Sequence, residues 1–354
     1  MTRSRRLDHQ SKLLVNITSH SHRSNYLYHP HSSTSRYVLD FANFNNMDFG
    51  DSGELYTIRN QFYTWQHHKV IDYSVEQFTD VNQLKVLEYK VRSTIAIGKD
   101  ASKLIEDGKT KFPGNEELFL LLSAWNDLHS FGTDDSTYFE DIKSPKFELQ
   151  AILTSLYLVK FFKNIDQGIE LLVSYIDNLN VLQKNELEPY LVLIQLYLVK
   201  GNFNQANKIF NNFKSFPEIL KDDVIYHVIE SWILALKGET DNINNSFYFY
   251  DELLANDFDN ELDRFKILNV LFVLSLKLNH LPEAQEFQNQ LAELGIKNDD
   301  FLANQIVMNY LSGKQSPELI EKLTELNPDH QYLVDRKDKN DKFDQIVEKY
   351  KVDV

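Results

Sequence analysis

From Gly53 onward, apolar residues recur three and four positions apart over windows of about 12–20 residues, with short polar breaks between them, the spacing of amphipathic α-helices. The clearest window is Tyr190-Leu-Val-Leu-Ile-Gln-Leu-Tyr-Leu-Val-Lys-Gly201, followed at once by Asn202-Phe-Asn-Gln-Ala-Asn-Lys-Ile-Phe210. A long apolar helix meets Gly201, a residue that enters the left-handed region cheaply and so suits a helix C-terminus. A second, more amphipathic helix starts directly after it. Tyr197, Gly201, Phe203, Ala206 and Phe210 then occupy the large, turn, large, small and large positions of a tetratricopeptide-like helical pair. The small Ala206 lets the second helix approach the first, while Tyr197 and Phe210 fill the space above and below.

The same grammar returns along the chain. Small or mid-sized residues at the close-approach point fall at Gly168, Ala206, Ser246, Ala284 and Leu319, at intervals of 38, 40, 38 and 35 residues. Tetratricopeptide units run to about 34 residues and looser helical repeats to the mid-forties, so the spacing marks a degenerate repeat with variable loops. Two departures stand out. Ile194 sits where helix A normally carries Gly, and Leu319 is not small, which should widen the last hairpin.

The pattern predicts helix pairs over Glu54–Phe78, Gln83–Phe112, Lys146–Leu179, Glu186–Phe216, Asp223–Leu254, Glu261–Leu294 and Asp299–Leu326, an extra helix at Glu116–His129 and a terminal one at Asp338–Tyr350. Asn164 and Ser316 read as N-caps, and Pro317 and Pro282 sit in first turns. The stretch Gly132–Ser144 reads as a loose linker between two halves. The expected fold is all-α: an α-solenoid of degenerate tetratricopeptide-like hairpins with a C-terminal helix, stabilised by stacking because no unit buries its apolar face alone.

Composition alters this picture at the start of the chain. Residues 1–46 hold Arg3, Arg5, Arg6, Lys12, Arg23 and Arg36 against only Asp8 and Asp40, and they are rich in Ser and His. An Arg-rich, acid-poor start resembles a transit peptide, yet Leu13, Leu14, Val15 and Ile17 cluster without a helical stripe. The simpler expectation is a leader at 1–46, disordered or upstream of the true start, with the helical domain at 47–354. On that reading, mass spectrometry of the native protein finds its N-terminus at or just after Met47, and peptides from 1–46 would overturn it. The whole chain of 354 residues has 37 Lys plus Arg against 52 Asp plus Glu, a net charge of −15. That balance argues against nucleic acid and anionic membranes as direct partners. Zero cysteines exclude disulfides, thiol nucleophiles and thiolate zinc sites. Apolar runs such as Leu118–Leu122 stop far short of the roughly 20 residues that a membrane span needs.

Candidate chemistry is thin. Gly108-Lys109-Thr110 resembles the end of a phosphate loop, but the first glycine of such a loop would fall on Lys103, and the run reads as a helix end. His67-His68 shows no carboxylate or hydroxyl partner at meaningful spacing, and His227 reads as a core residue within an apolar helix. No cofactor, metal, small-molecule substrate or catalytic residue is expected, and the chain is read as non-enzymatic. Recognition of another protein remains. With 18 Tyr, 24 Phe and 3 Trp, some rings should line a partner-binding groove, where aromatic side chains contribute strongly. Projection of the repeat register places Glu188, Leu191, Gln195, Leu198 and Val199 on that face, and in the last unit Phe301, Asn304, Met308, Leu311 and Ser312. The alternative for each is contact with the helix of the next repeat.

Three blocks carry a family resemblance: Ser246-Phe-Tyr-Phe-Tyr-Asp-Glu-Leu253, Phe301-Leu-Ala-Asn-Gln-Ile306 and Lys342-Phe-Asp-Gln-Ile-Val-Glu-Lys-Tyr350, the last one after the charged stretch Asp335–Asp341. In order and spacing they resemble the epsilon subunit of coatomer, the COPI vesicle coat, and Met47-Asp-Phe is similar to the start of that family. The resemblance covers Met47–Tyr350. It implies a cytosolic coat subunit, peripheral on Golgi membranes and COPI vesicles, that binds the C-terminal region of the alpha coatomer subunit. It further implies service in retrograde Golgi-to-endoplasmic-reticulum and intra-Golgi transport, with membranes reached only through a complex recruited by a small GTPase. The competing expectations are a helical-repeat adaptor of another cytosolic assembly and, more remotely, a helical-repeat enzyme subunit.

Overall fold

The computed structural model describes residues 52–132, 137–179, 187–213, 216, 220–256, 258 and 260–350. The leader at 1–46 and the family-like start at Met47 lie outside them. The described residues hold sixteen α-helices and no strand, in two compact units that divide at Ile142–Lys143, inside the stretch that the sequence marks as a linker.

The N-terminal unit contains α1 (Ser52–Tyr63), α2 (His67–Asp72), a single 3₁₀ turn at Val75–Gln77, α3 (Asp80–Ala96), α4 (Ser102–Lys111) and α5 (Glu116–Ser130). The expected helix pair at Glu54–Phe78 is thus broken into three pieces. Trp65 takes a left-handed φ of 67°, and the Thr64 hydroxyl donates to Asn60 O at 2.7 Å, two local reasons for the helix to stop there. Leu55, Ile58, Phe62, Val70, Val86 and Tyr89 form the core of these first elements. Gly108 lies inside α4, against α3 and α5: a Cβ there would fall 2.6 Å from both Leu87 Cδ2 and Phe119 Cε1. The supposed phosphate-loop glycine is a close-approach residue between helices, and the neighbouring Thr110 hydroxyl bonds Glu106 O within the same helix.

The C-terminal unit stacks five hairpins: α6–α7 (Glu148–Lys160, Ile165–Asp177), α8–α9 (Glu188–Val199, Phe203–Asn212), α10–α11 (Val224–Lys237, Thr240–Leu254), α12–α13 (Glu261–Lys277, Leu281–Glu293) and α14–α15 (Asp299–Leu311, Pro317–Leu326). Each second helix packs on its own first helix and on the first helix of the next hairpin, the nearest-neighbour arrangement of a helical repeat array. The close-approach residues behave as the spacing requires. Ala206 and Ala284 are fully buried, and Ser246 is 1 % exposed. The Ser246 hydroxyl also donates to Ser231 O at 2.9 Å across the hairpin. At Gly168 an added Cβ would lie 2.8 Å from Val159 Cγ2 and 3.2 Å from Ser155 O. Leu319 is only partly buried, against the small cluster Ala303, Ile306 and Leu323.

Helix starts follow the polar punctuation. Asn164, Asn202, Asp223, Asn260 and Asn298 each accept a backbone N–H of the first turn that they cap, which satisfies one orphan donor. Ser316 does occupy the cap of α15 with Pro317 behind it, but its hydroxyl accepts from the Asn309 amide at 2.8 Å and makes no cap bond. Gly201 has φ +71°, the left-handed stop expected after α8. The terminal helix, α16 (Gln331–Lys349), begins seven residues before the expected Asp338. The charged stretch Asp335–Asp341 is helical, supported by side-chain contacts at i, i+4: the Gln331 amide donates to Asp335 at 2.7 Å, and Lys337 pairs with Asp341 at 2.9 Å.

Candidate partner-binding surfaces

Burial of the projected groove residues differs between the two hairpins. On α8, Glu188 and Leu198 are buried, whereas Leu191, Gln195 and Val199 are half-buried and share one face at four-residue spacing. On α14, Phe301, Asn304 and Met308 are buried, while Leu311 and Ser312 are exposed. Phe301 sets its ring edge-on to Phe265 at 5.9 Å and to Phe272 at 6.1 Å. Asn304 donates its amide to Asn269 Oδ1 at 3.1 Å. Phe265, Phe272 and Asn269 all belong to α12, so this face of α14 contacts the preceding repeat and is not open. Projection from one hairpin fails here because α12 is apolar around most of its circumference and demands burial on every side.

The last hairpin and the start of α16 together hold a buried polar trio. Asp299 and Asp300 open α14, and His330 caps α16; their ligand-type atoms lie within 4.8 Å of one another, and all three are buried. Asn327 donates to Asp299 Oδ2 at 2.6 Å, and Asp300 N donates to Asp299 Oδ1 at 3.0 Å. His330 Nε2 sits 3.1 Å from Asp300 Oδ1, while His330 Nδ1 accepts the Tyr332 N–H at 3.1 Å. These two bonds fix the tautomer. A ring whose Nδ1 accepts must carry its proton on Nε2, which then donates to Asp300. A divalent cation in the trio would need Nε2 bare as well, leaving an imidazolate, so the hydrogen bonding argues for a helix-junction lock and against a metal centre. Among the described residues Asp300 Oδ2, which is buried, meets no hydrogen-bond donor. Asp299 and Asp300 lie 31 and 30 positions before His330, a separation that no local pattern bridges.

The other histidines also differ from expectation. His67 is buried with Nδ1 3.2 Å from the Ser93 hydroxyl, a partner 26 residues away that local spacing did not reveal. Ser93 is itself fully buried and has no open side toward a substrate. His227 is not a core residue: its side chain is 40 % exposed, and Nδ1 lies 3.9 Å from Glu230.

Surface that stays at least partly open on helix faces includes Leu191, Gln195 and Val199 on α8, Tyr310 and Leu311 at the end of α14, and an apolar stripe on the otherwise charged α16. Stacked hairpins that present such faces define a helical-repeat scaffold, a class suited to gripping other polypeptides. Comparison with known proteins narrows the class. The family described as coatomer epsilon subunit matches residues 174–351. Coatomer subunit epsilon of Saccharomyces cerevisiae is 24% identical over 311 residues, which cover 84% of this chain and 98% of that protein. The probable coatomer subunit epsilon of Schizosaccharomyces pombe is 21% identical over 213 residues, 58% of this chain and 64% of that protein. The chain belongs to the coatomer epsilon subunit family.

Proposed function

We propose that this protein is a non-catalytic structural subunit of the COPI coat that binds the C-terminal region of the alpha coatomer subunit and stabilises it, in retrograde Golgi-to-endoplasmic-reticulum and intra-Golgi transport. The observation that carries the reading is the alignment with the yeast coatomer subunit, which runs over nearly its whole length. The architecture is compatible with it, since stacked hairpins offer long apolar faces for a protein partner. Of the ten residues projected onto the partner face, Leu191, Gln195 and Val199 on α8 and Leu311 and Ser312 at the end of α14 keep exposed surface, and these are the ones assigned to partner contact. Among the described residues no helix is long and apolar enough to cross a membrane. On the coat reading, membrane contact is assigned to the assembled coat, recruited by a small GTPase, and localisation to the cytoplasm and the Golgi surface.

The test is purification of the tagged full chain from its own cells with quantitative mass spectrometry. The alpha coatomer subunit in near-equal amount is the expected result. Its absence beside a different dominant partner overturns the proposal in favour of an adaptor for another assembly.

A further inference from the structure

Helix α16 is longer than the core it covers. Its first turn is anchored: His330 caps it, and Tyr332 and Leu333 pack on Ala303, Ile306 and Leu323. From Arg336 to Tyr350 every residue is exposed. Isolated helices shorter than about 12–15 residues are marginal in water, so this overhang stands without the tertiary packing that holds the other helices. It nevertheless carries an apolar stripe at i, i+3, i+4 and i+7, namely Phe343, Ile346, Val347 and Tyr350, which are 65%, 56%, 44% and 70% exposed.

The upstream part of the same face is cationic. Helical spacing sets Arg336 and Lys339 in line with Phe343 and Tyr350, and no Asp or Glu of α16 falls between them. Among the described residues no ion pair engages Arg336, Lys339 or Lys342, whereas Lys337, on another side of the helix, pairs with Asp341. Arg336 also lines a shallow cleft of about 300 Å³ with Tyr310, Gln315, Pro317, Ile320 and Glu321. On a chain of net charge −15, a face that is cationic for one turn and apolar for the next two is a local inversion.

We propose that this face of α16 is a docking surface for an amphipathic helix of another coat subunit, apolar where it meets Phe343–Tyr350 and acidic where it meets Arg336 and Lys339. The inference rests on the coat reading above. A second copy of the chain fits poorly: antiparallel pairing would set Phe343 and Tyr350 against Arg336 and Lys339, and parallel pairing would set cations against cations.

The absence of native cysteine gives a clean test. Full-length Phe343→Cys is purified within its coat complex, a thiol-directed photocrosslinker is attached, and cross-linked peptides are sequenced. Val81→Cys, at a site 74% exposed in the other unit, serves as the control. The expected result is cross-linking to one segment of another subunit with apolar residues at i, i+3 or i+4 and i+7 and Asp or Glu in the adjoining turn, well above the control. The paired change Arg336→Glu with Phe343→Asp should weaken retention of that subunit by about tenfold or more, the scale of a lost hot spot. Cross-links confined to lipid, to a second copy, to a segment without acidic residues, or no stronger than the control overturn the docking surface. A complex that purifies normally while Phe343→Cys is silent overturns only this inference; failure to find any coat complex overturns the coat reading itself.

Discussion

The His330–Asp300 junction invites a quantitative test. His330→Ala removes the cap of α16, worth about 1 kcal/mol. It also strips Asp300 Oδ1 of its donor, at a residue 1 % exposed whose Oδ2 already lacks one. Stripping a buried acceptor of its hydrogen-bond donor costs about 1–3 kcal/mol, and more where the group is charged. A net loss of about 3–4 kcal/mol is expected, a large share of the ~5–15 kcal/mol that holds a typical domain. His330→Asn keeps a capping oxygen and should recover about 1 kcal/mol of it. In Asp300→Ala the charge leaves with its acceptor, so the double variant should cost less than the sum of the two single ones, with a coupling of about 2 kcal/mol. Trp232 is the one tryptophan of the C-terminal unit. Its fluorescence, in a background of Trp65→Phe and Trp125→Phe, therefore follows urea unfolding of the unit that holds His330. A loss below about 1 kcal/mol for His330→Ala, or a coupling near zero, would refute the argument that this bond locks α14 to α16.

Two further outcomes follow from packing and burial. Ala284 is fully buried at a close approach between helices, so Ala284→Leu should overpack the α12–α13 hairpin by about 1–3 kcal/mol; thermal unfolding checks it, and an unchanged midpoint would show that the spacing residue is not under steric constraint. Burial pushes the Lys277 ammonium down to about 8, below its ordinary value. Between that value and about 10.4 the unfolded chain binds more protons than the folded one, so this group makes stability climb as pH rises through the window, and its full penalty applies below it. Lys277→Met should raise stability at neutral pH by ~1–3 kcal/mol and abolish that climb. Parallel pH profiles for the variant and the parent would count against the assignment.

The repeat was legible because its signal is local and steric. Close packing of two helices requires a small side chain at one point per hairpin, and Gly168, Ala206, Ser246 and Ala284 supply it at near-constant intervals. Where a helix stops is less legible, because side chains compete for the same backbone groups: Thr64 and Trp65 break the first predicted pair, while a Gln331–Asp335 hydrogen bond and the Lys337–Asp341 ion pair support the longer terminal helix. Which of the projected residues stay accessible was legible only in part. On α8 the projected residues Leu191, Gln195 and Val199 keep exposed surface, but on α14 the same register points at α12. The polar trio was not legible at all, since nothing in the local pattern joins His330 to Asp300.

These misses share a cause that bears on function. An array of stacked hairpins spends its inner faces on the next repeat, so free apolar surface concentrates where stacking ends. Among the described residues the last hairpin is followed by the single helix α16. Its small core of Ala303, Ile306 and Leu323 is closed by Tyr332 and Leu333 at the start of α16, and the His330 cap holds that lid in register. A helix needed only as a lid could end near Arg336. This one runs on to Lys349 with its apolar side chains in solvent, and that exposure is costly unless something else in the assembly covers it.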